Sequence, residues 1–386
     1  MKWEKKKIED ICLNITSGGT PKSTNEAFYN PQEIPWLKTG EVNYCRIYDT
    51  EKYISKEGLY NSSAKIIPTN SVMVAMYGQG DTAGRVAINK IPLTTNQACC
   101  NLIINDKVAD YEFVYYKLST LYEKMVSLKN GGAQPNLNVK IIKSIEISLP
   151  PLPVQQRIAS ILSAYDDLIE NNQKQIKLLE EAAQRLYKEW FVDLRFPGHE
   201  GVKVVDGVPE GWKKEKLIEL AELKAGGDKP KIFSKIKSNI CKVPIFSNGL
   251  ENEGLFGYTD KADIGQESIT ISARGNVGYT CLRREPYLAI VRLICVIPRK
   301  MHISTYLYFY LKHTNYNSNG SAQQQLTIPM IKNTVVCVPD ENILSDFDDK
   351  ARCYFDLVDA LKNKISSLRE ARDRLLPKLM SGEIEV

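Results

Sequence analysis

The feature that most constrains this chain is that it contains much of itself twice. Residues 130–151 (NGGAQPNLNVKIIKSIEISLPP) lie over residues 319–340 (NGSAQQQLTIPMIKNTVVCVPD) at a constant offset of 189, with 8 of 22 positions identical. The offset continues without a gap: residues 165–187 (YDDLIENNQKQIKLLEEAAQRLY) lie over residues 354–376 (YFDLVDALKNKISSLREARDRLL) with 9 of 23 identities. A repeat of this length in 386 residues divides the chain into two similar halves. Upstream the pattern persists while residues diverge. Trp3 faces Trp212, SGGTPK (17–22) faces AGGDKPK (225–231), and IPWLKTGE (34–41) faces VPIFSNGL (243–250). Further on, SVMVAMYGQGDTAG (71–84) faces SITISARGNVG (268–278) with an indel between the glycines. Each half therefore has a variable front and a similar back.

The back of each half reads as one long helix. Apolar or small residues recur by threes and fours at 158, 161, 165, 168, 172, 176, 179, 183, 186 and 190, with Asn172 the polar exception. The second copy runs 347, 351, 354, 358, 361, 365, 368, 372, 375 and 379, close to a heptad seam with Arg372 as the misfit. Neither helix can bury its stripe alone, so the two are expected to pair antiparallel. The fronts carry short runs such as SVMVAMY and SITISA bounded by Gly, Asn and Pro, which suit short strands. The expected fold class is α+β, with two pseudo-twofold related halves. Its segments are a first domain at 1–150, a first long helix at 151–192, a linker at 193–208, a second domain at 209–340 and a second long helix at 341–386.

Composition narrows the chemistry. With 51 Lys+Arg against 46 Asp+Glu and 43% hydrophobic residues, this is ordinary globular composition whose net charge of +5 permits nucleic acid without demanding it. Nine cysteines form no CxxC pair and three histidines (His199, His302, His313) lie far from ligand spacing, so no zinc site is expected. The N-terminus has no apolar leader and the most apolar stretch, 288–297, is broken by Arg292, so neither export nor a membrane span is expected. The scattered thiols then fit the reducing cytoplasm.

Catalytic motifs are missing. The best cofactor candidate, Gly78-Gln79-Gly80-Asp81-Thr82-Ala83-Gly84, has GxGxxxG spacing, leads into no clear amphipathic helix and has lost a glycine in the second half. A β-turn explains it better. No Walker A, HExxH or GxSxG run is present, nor the Asn/Asp-Pro-Pro-aromatic run of a base methyltransferase. The carboxylate pairs Asp166-Asp167 and Asp348-Asp349 read as a solvated helix face.

Binding signals are more informative. Residues 213–242 hold nine lysines against four acids, and include Lys213, Lys214, Lys229 and Lys231. A solubilising lysine surface is the plain alternative. Amides cluster at the repeated NG motif: Gln134 and Asn136 in the first half, Gln323, Gln324 and Gln325 in the second. Asn and Gln can pair bidentately with adenine in the major groove, and Arg274 could pair with guanine; each, taken singly, also suits a turn. The glycine loops add Gln79, Arg85 and Asn276, and the front loops add Lys22 and Lys38.

In this order the motifs are similar to those of the specificity subunit of type I restriction-modification systems, over essentially the whole chain. The residues that carry the resemblance are SGGTPK and IPWLKTGE within 17–41, MYGQGDTAGRVAI (76–88), TNQACCNL (95–102), GGAQPNLN (131–138) and SLPPLPVQQRIASIL (148–162). The resemblance implies two target recognition domains, each reading one half of a split double-stranded DNA sequence, held apart by an antiparallel helical pair. It implies no cofactor in this chain. Two modification subunits carrying S-adenosylmethionine and adenine N6 chemistry would dock on the helices, and restriction subunits with ATP and Mg would join them. The second half departs from the pattern: TNQA has no clear sequence equivalent near 287–296, and PPLPVQQRI has become PDENILSDF. Two rivals remain at this point, a free-standing DNA-modifying enzyme and a coiled-coil scaffold that binds only protein.

Overall fold

A computed structural model describes residues 3–129, 136–316 and 325–386. The chain forms two compact units, the first built from residues 1–172 with 364–386 and the second from residues 173–363.

The first unit opens on β1 (Glu4–Lys7) and β2 (Cys12–Ser17), followed by β3 (Ile34–Leu37), β4 (Cys45–Ile47), β5 (Tyr53–Ile54) and a short helix α1 (Lys56–Tyr60). Strands β6 (Val72–Ala75), β7 (Val86–Asn89), β8 (Thr94–Thr95) and β9 (Cys99–Ile104) precede helices α2 (Tyr111–Ser119), α3 (Tyr122–Ser127) and α4 (Val139–Lys143) and strand β10 (Glu146–Leu149). A five-stranded sheet has the order β2-β9-β6-β7-β4, a three-stranded sheet β5-β3-β8, and β1 pairs with β10. Strand alternation divides β6 between two cores: Val72 and Val74 pack with α2 residues Phe113 and Val114, while Met73 and Ala75 pack with Leu37, Val42 and Ile47. A strand buried on both faces reads as a continuous apolar run, which is why SVMVAMY shows no alternation.

Helix α5 (Leu152–Tyr187) starts in the first unit and continues into the second, where a single π-helical turn, Lys188–Val192, follows it. A small hairpin of β11 (Val204–Val205) and β12 (Val208–Pro209) leads to the second unit's β13 (Lys213–Lys216), α6 (Leu217–Leu220) and β14 (Ala221–Ala225). Then come β15 (Val243–Phe246), β16 (Leu255–Thr259), β17 (Ser268–Ile271), β18 (Thr280–Arg283), β19 (Leu288–Ala289), β20 (Ile294–Pro298), α7 (Ser304–His313), α8 (Ile328–Ile331), β21 (Val335–Val338) and α9 (Glu341–Ser381). Sheet orders β14-β20-β17-β18 and β16-β15-β19, with β13 on β21, follow the first unit's framework, except that the larger sheet has four strands and no counterpart of β4. The parallel pairs correspond as well: Trp36 and Leu37 face Thr94 and Thr95, as Ile245 and Phe246 face Leu288 and Ala289.

Inside each unit, segments of the two long helices run antiparallel. In the first unit Ile158, Ala159 and Leu162 from the start of α5 share a core with Leu379 and Met380 from the end of α9. In the second, Ala183, Tyr187 and Trp190 from the end of α5 and its π turn pack with Leu344, Phe347 and Ala351 from the start of α9. Two details of the expected seam change. Leu168 is 43% exposed and its neighbour Ile169 turns inward, because the true helical period of 3.6 drifts from strict threes and fours. Arg372 is no misfit, since its guanidinium pairs with the buried Asp166. Helix α9 ends at Gly382, whose φ of 77° is the left-handed turn that a glycine takes most easily.

The altered helix entry also has a local cause. In the first unit Gln155 is buried, accepts from the Asp110 N–H (3.0 Å) and donates to the Pro150 carbonyl (2.9 Å), tying α5 to the start of α2. Leu344 stands at the corresponding place 189 residues on and is buried among apolar side chains. PPLPVQQRI and PDENILSDF thus anchor their helices by different chemistry.

Candidate nucleic-acid interface

The front loops of both units are built on one backbone frame. In the first, the Gly18 N–H donates to the Cys99 carbonyl (3.4 Å) and the Gly19 N–H to the Thr95 carbonyl (2.9 Å). In the second, the Gly226 N–H donates to the Leu293 carbonyl (2.8 Å) and the Gly227 N–H to the Ala289 carbonyl (3.1 Å). A Cβ on Gly18 would stand 2.0 Å from the Thr95 carbonyl oxygen, and one on Gly226 2.8 Å from the Ala289 carbonyl carbon, so the contact itself demands glycine. The stretch that had no sequence equivalent of TNQA therefore has a structural one, Ala289-Ile290-Val291-Arg292. Main-chain hydrogen bonds define the corner, and they tolerate almost any side chain.

What the frame displays differs between units. On the first corner Lys22 and Gln97 are exposed, with the Thr20 hydroxyl donating to Gln97 Oε1. On the second, Val291 and Arg292 are exposed and both take φ of 57°. A β-branched residue in the left-handed region is strained, and here three bonds hold it: Val291 N–H to Gly227 O (2.8 Å), Arg292 N–H to Gly226 O (3.0 Å) and Asn248 Nδ2 to Val291 O (2.7 Å). Sequence reasoning passes over Gln97 and Arg292. The available signals were the place of Gln97 inside TNQA and the interruption of an apolar run by Arg292.

The remaining expected residues are scattered. The glycine loops join β6 to β7 and β17 to β18 as hairpins, with φ of 61° and 95° at Gly80 and Gly84 and 68° and 87° at Gly275 and Gly278. Gln79 is exposed there, while Arg85 pairs with Asp81 (2.5 Å). Arg274 is exposed with its guanidinium on Gln325 Oε1 (3.2 Å), and Asn276 is exposed beside it in the turn. Lys38 is half-buried, its Nζ 6.0 Å from the Trp36 ring centre, and burial together with Lys52 lowers its pKa. Asn136 is exposed, whereas Gln134, Gln323 and Gln324 lie outside the described residues. The basic stretch 213–242 is not one loop. Lys213 and Lys214 lie on β13, before β14, and Lys229 and Lys231 lie in the loop beyond its other end, so the strand separates the two pairs.

Ion-pair networks fasten each front domain to its helical segments. In the first unit the guanidinium of Arg46, on β4, meets Glu112 on α2 and Asp167 and Glu170 on α5, and the Tyr48 hydroxyl donates to Glu170 (2.9 Å). In the second, Arg284 meets Asp356 and Asp359 on α9, and Arg352 bridges Asp348 and Glu267. The solvated-face reading of the carboxylate pairs is overturned for one member of each. Asp166 is 8% exposed and accepts from Tyr116 and Arg372; Asp348 is 5% exposed and accepts from Thr305 and Arg352. These carboxylates are consumed by structural partners. Among the described residues no group of three or more His, Cys, Asp or Glu could hold a metal, and no helix is long and apolar enough to cross a membrane.

A family model described as the type I restriction modification DNA specificity domain matches residues 1–181 and 209–366. The chain is similar to the type I restriction enzyme MjaIX specificity subunit of Methanocaldococcus jannaschii, 31% identical over 410 aligned residues that cover 100% of this chain and 94% of that one. It is also similar to the type I restriction enzyme HindI specificity subunit of Haemophilus influenzae, 25% identical over 470 positions that cover 99% of each. In fold it is similar to the crystal structure of the type I restriction-modification system S subunit from M. genitalium, with a TM-score of 0.60 at 17% identity, covering 98% of this chain and 96% of that one.

Proposed function

The chain belongs to the type I restriction-modification DNA specificity family, and from that premise we propose that it is the sequence-reading subunit of a cytoplasmic restriction-modification complex whose double-stranded DNA target is bipartite and asymmetric. The observation that carries the reading is the shared corner with unlike side chains. The same glycine contact is kept in both units, while Lys22 and Gln97 stand on one and Val291 and Arg292 on the other. Equal frames with different polar displays favour two different half-sites.

In this reading the chain has no catalytic step of its own. Two modification subunits, supplying S-adenosylmethionine and adenine N6 transfer, dock on the helical segments, and restriction subunits bring ATP- and Mg-dependent activity. Exposed lysines contribute phosphate affinity without sequence information, and the loop side chains select bases. Keeping each front domain in fixed register with its helix is the work of the Arg46 and Arg284 networks.

The test is to express the chain with its modification subunit in a host without adenine methylation and sequence the modified bases. The expected result is one motif made of two unlike half-sites separated by an unread gap. A contiguous or palindromic motif would refute the asymmetric reading. Incubating the chain alone with DNA and labelled S-adenosylmethionine should transfer no label to adenine; transfer would favour the free-standing enzyme. Failure of the assembled complex to bind DNA would favour the scaffold.

A further inference from the structure

The loop between β14 and β15 has an unusual mixture of residues. Residues 229–242 hold five lysines (229, 231, 235, 237, 242), all exposed, and no acid. Among them Ile232, Ile236 and Ile240 expose 50%, 78% and 73% of their surface. Counted from the glycine pair in both units, residues 226–242 hold five lysines and one acid, Asp228, whereas residues 18–33 hold one lysine and two glutamates. Single exposed aliphatics need no explanation, but three within nine residues on a basic loop do.

The loop is held in place. Ser234 exchanges two backbone hydrogen bonds with Tyr258 (2.9 and 2.8 Å), the Thr259 hydroxyl donates to the Ile232 carbonyl (2.7 Å), and Ser234 Oγ donates to the Ile236 carbonyl (2.7 Å). Ser238 and Cys241 close a turn through the Ser238 N–H on the Cys241 carbonyl and the Cys241 N–H on Ser238 Oγ, both 3.0 Å. Beneath, Phe233 and Phe256 stack at 5.5 Å, with Lys229 Nζ 3.6 Å from the Phe233 centre and Lys235 Nζ 4.2 Å from the Phe256 centre. The aromatic rings hold Lys229 and Lys235, and the backbone bonds fix the chain at Ile236 and through the turn that contains Ile240, so both isoleucines are presented to solvent on ordered backbone.

A partner for this surface must offer anionic groups around an apolar contact. DNA does so in the major groove, where phosphates border the thymine C5 methyl, and the loop springs from the Gly226–Gly227 corner that also carries Arg292. We propose that Ile236 and Ile240 read thymine by apolar contact with its methyl group in the half-site of the second unit, while the five lysines engage the flanking phosphates. This deepens, and rests on, the reading of the chain as a recognition subunit.

The test uses the full chain assembled with its modification subunit and duplexes carrying its methylated target, with each thymine replaced singly by uracil, which keeps the base-pairing edge and loses the methyl. One or two substitutions in one half-site should weaken binding about fourfold each, the equivalent of one buried methyl group. The variants I236A and I240A should bind the thymine duplex more weakly and lose their sensitivity to uracil at that same position, while keeping the wild-type salt slope. Losses that simply add, a uracil-insensitive wild type, or a second half-site without thymine would overturn the proposal. So would variants that assemble poorly with the modification subunit yet keep wild-type DNA preference once assembled, since the isoleucines would then be a protein contact. A wild-type complex with no sequence preference would instead overturn the recognition reading beneath it.

Discussion

Replacing Asp166 by alanine removes the carboxylate that Tyr116 on α2 and Arg372 on α9 share within the first unit. The site is nearly dry: Asp166 is 8% and Tyr116 3% exposed. Burial pulls the Arg372 pKa down, but the charge and hydrogen bond of Asp166, together with those of Asp373, more than offset it and leave the guanidinium above its ordinary value. Breaking a buried pair from one side costs about 3–5 kcal/mol, because the remaining charge stays desolvated. Arg372 still reaches solvent and keeps the exposed Asp373, so the lower end, about 3 kcal/mol, is expected. D166N keeps a carbonyl for the Tyr116 hydroxyl but loses the charge and the second oxygen, which accepts from Arg372, for a cost of about 2 kcal/mol. The double variant D166L/R372L removes both charges but leaves the buried Tyr116 hydroxyl without its acceptor, so it should recover part of the loss and end about 1–2 kcal/mol below the parent. Hydrogen exchange read on peptides from 152–172 is the assay: D166A should raise amide exchange about a hundredfold, at about 1.4 kcal/mol per decade. Unchanged exchange in D166A, or a double variant as labile as the single one, would show that the pair does not hold α5 and α9 together in this unit.

Three further outcomes are expected. Replacing Lys213, Lys214, Lys229 and Lys231 together should weaken cognate and non-cognate DNA binding alike and reduce the logarithmic salt slope by up to about 3.6, with each pair of lysines accounting for part; an altered methylated sequence at unchanged slope would reverse the assignment. Deleting seven residues from each long helix shortens it by about 10 Å while preserving the seam, and methylome sequencing should then show the same half-sites with a gap about 3 base pairs shorter. Alkylation of the native chain should modify exposed Cys353 well before Cys100 and Cys295, whose thiols burial pushes up to about 12 and about 11; mass spectrometry finding equal rates would mean that these strands open readily.

The repeat, the two long helices and the α+β fronts could be read from the sequence because each rests on a local regularity. An apolar stripe at helical spacing encodes its own burial, so Ile158, Ala183, Phe347 and Leu379 could be assigned inward without knowing what covers them. Asp166 and Asp348 could not. On a helix an acid beside an exposed position looks the same whether water or an arginine meets it, and the partner of Asp166 lies 206 residues away. The glycine corner was hidden for the complementary reason. TNQA and AIVR share almost no side-chain character, yet the glycine N–H groups that fix both corners bond to backbone carbonyls, which every residue supplies. Sequence by itself therefore determined what depends on side-chain periodicity, whereas only the tertiary structure decided which charges were paired and which loop residues shared a frame, because those depend on contacts between main chain and side chains far apart in the sequence.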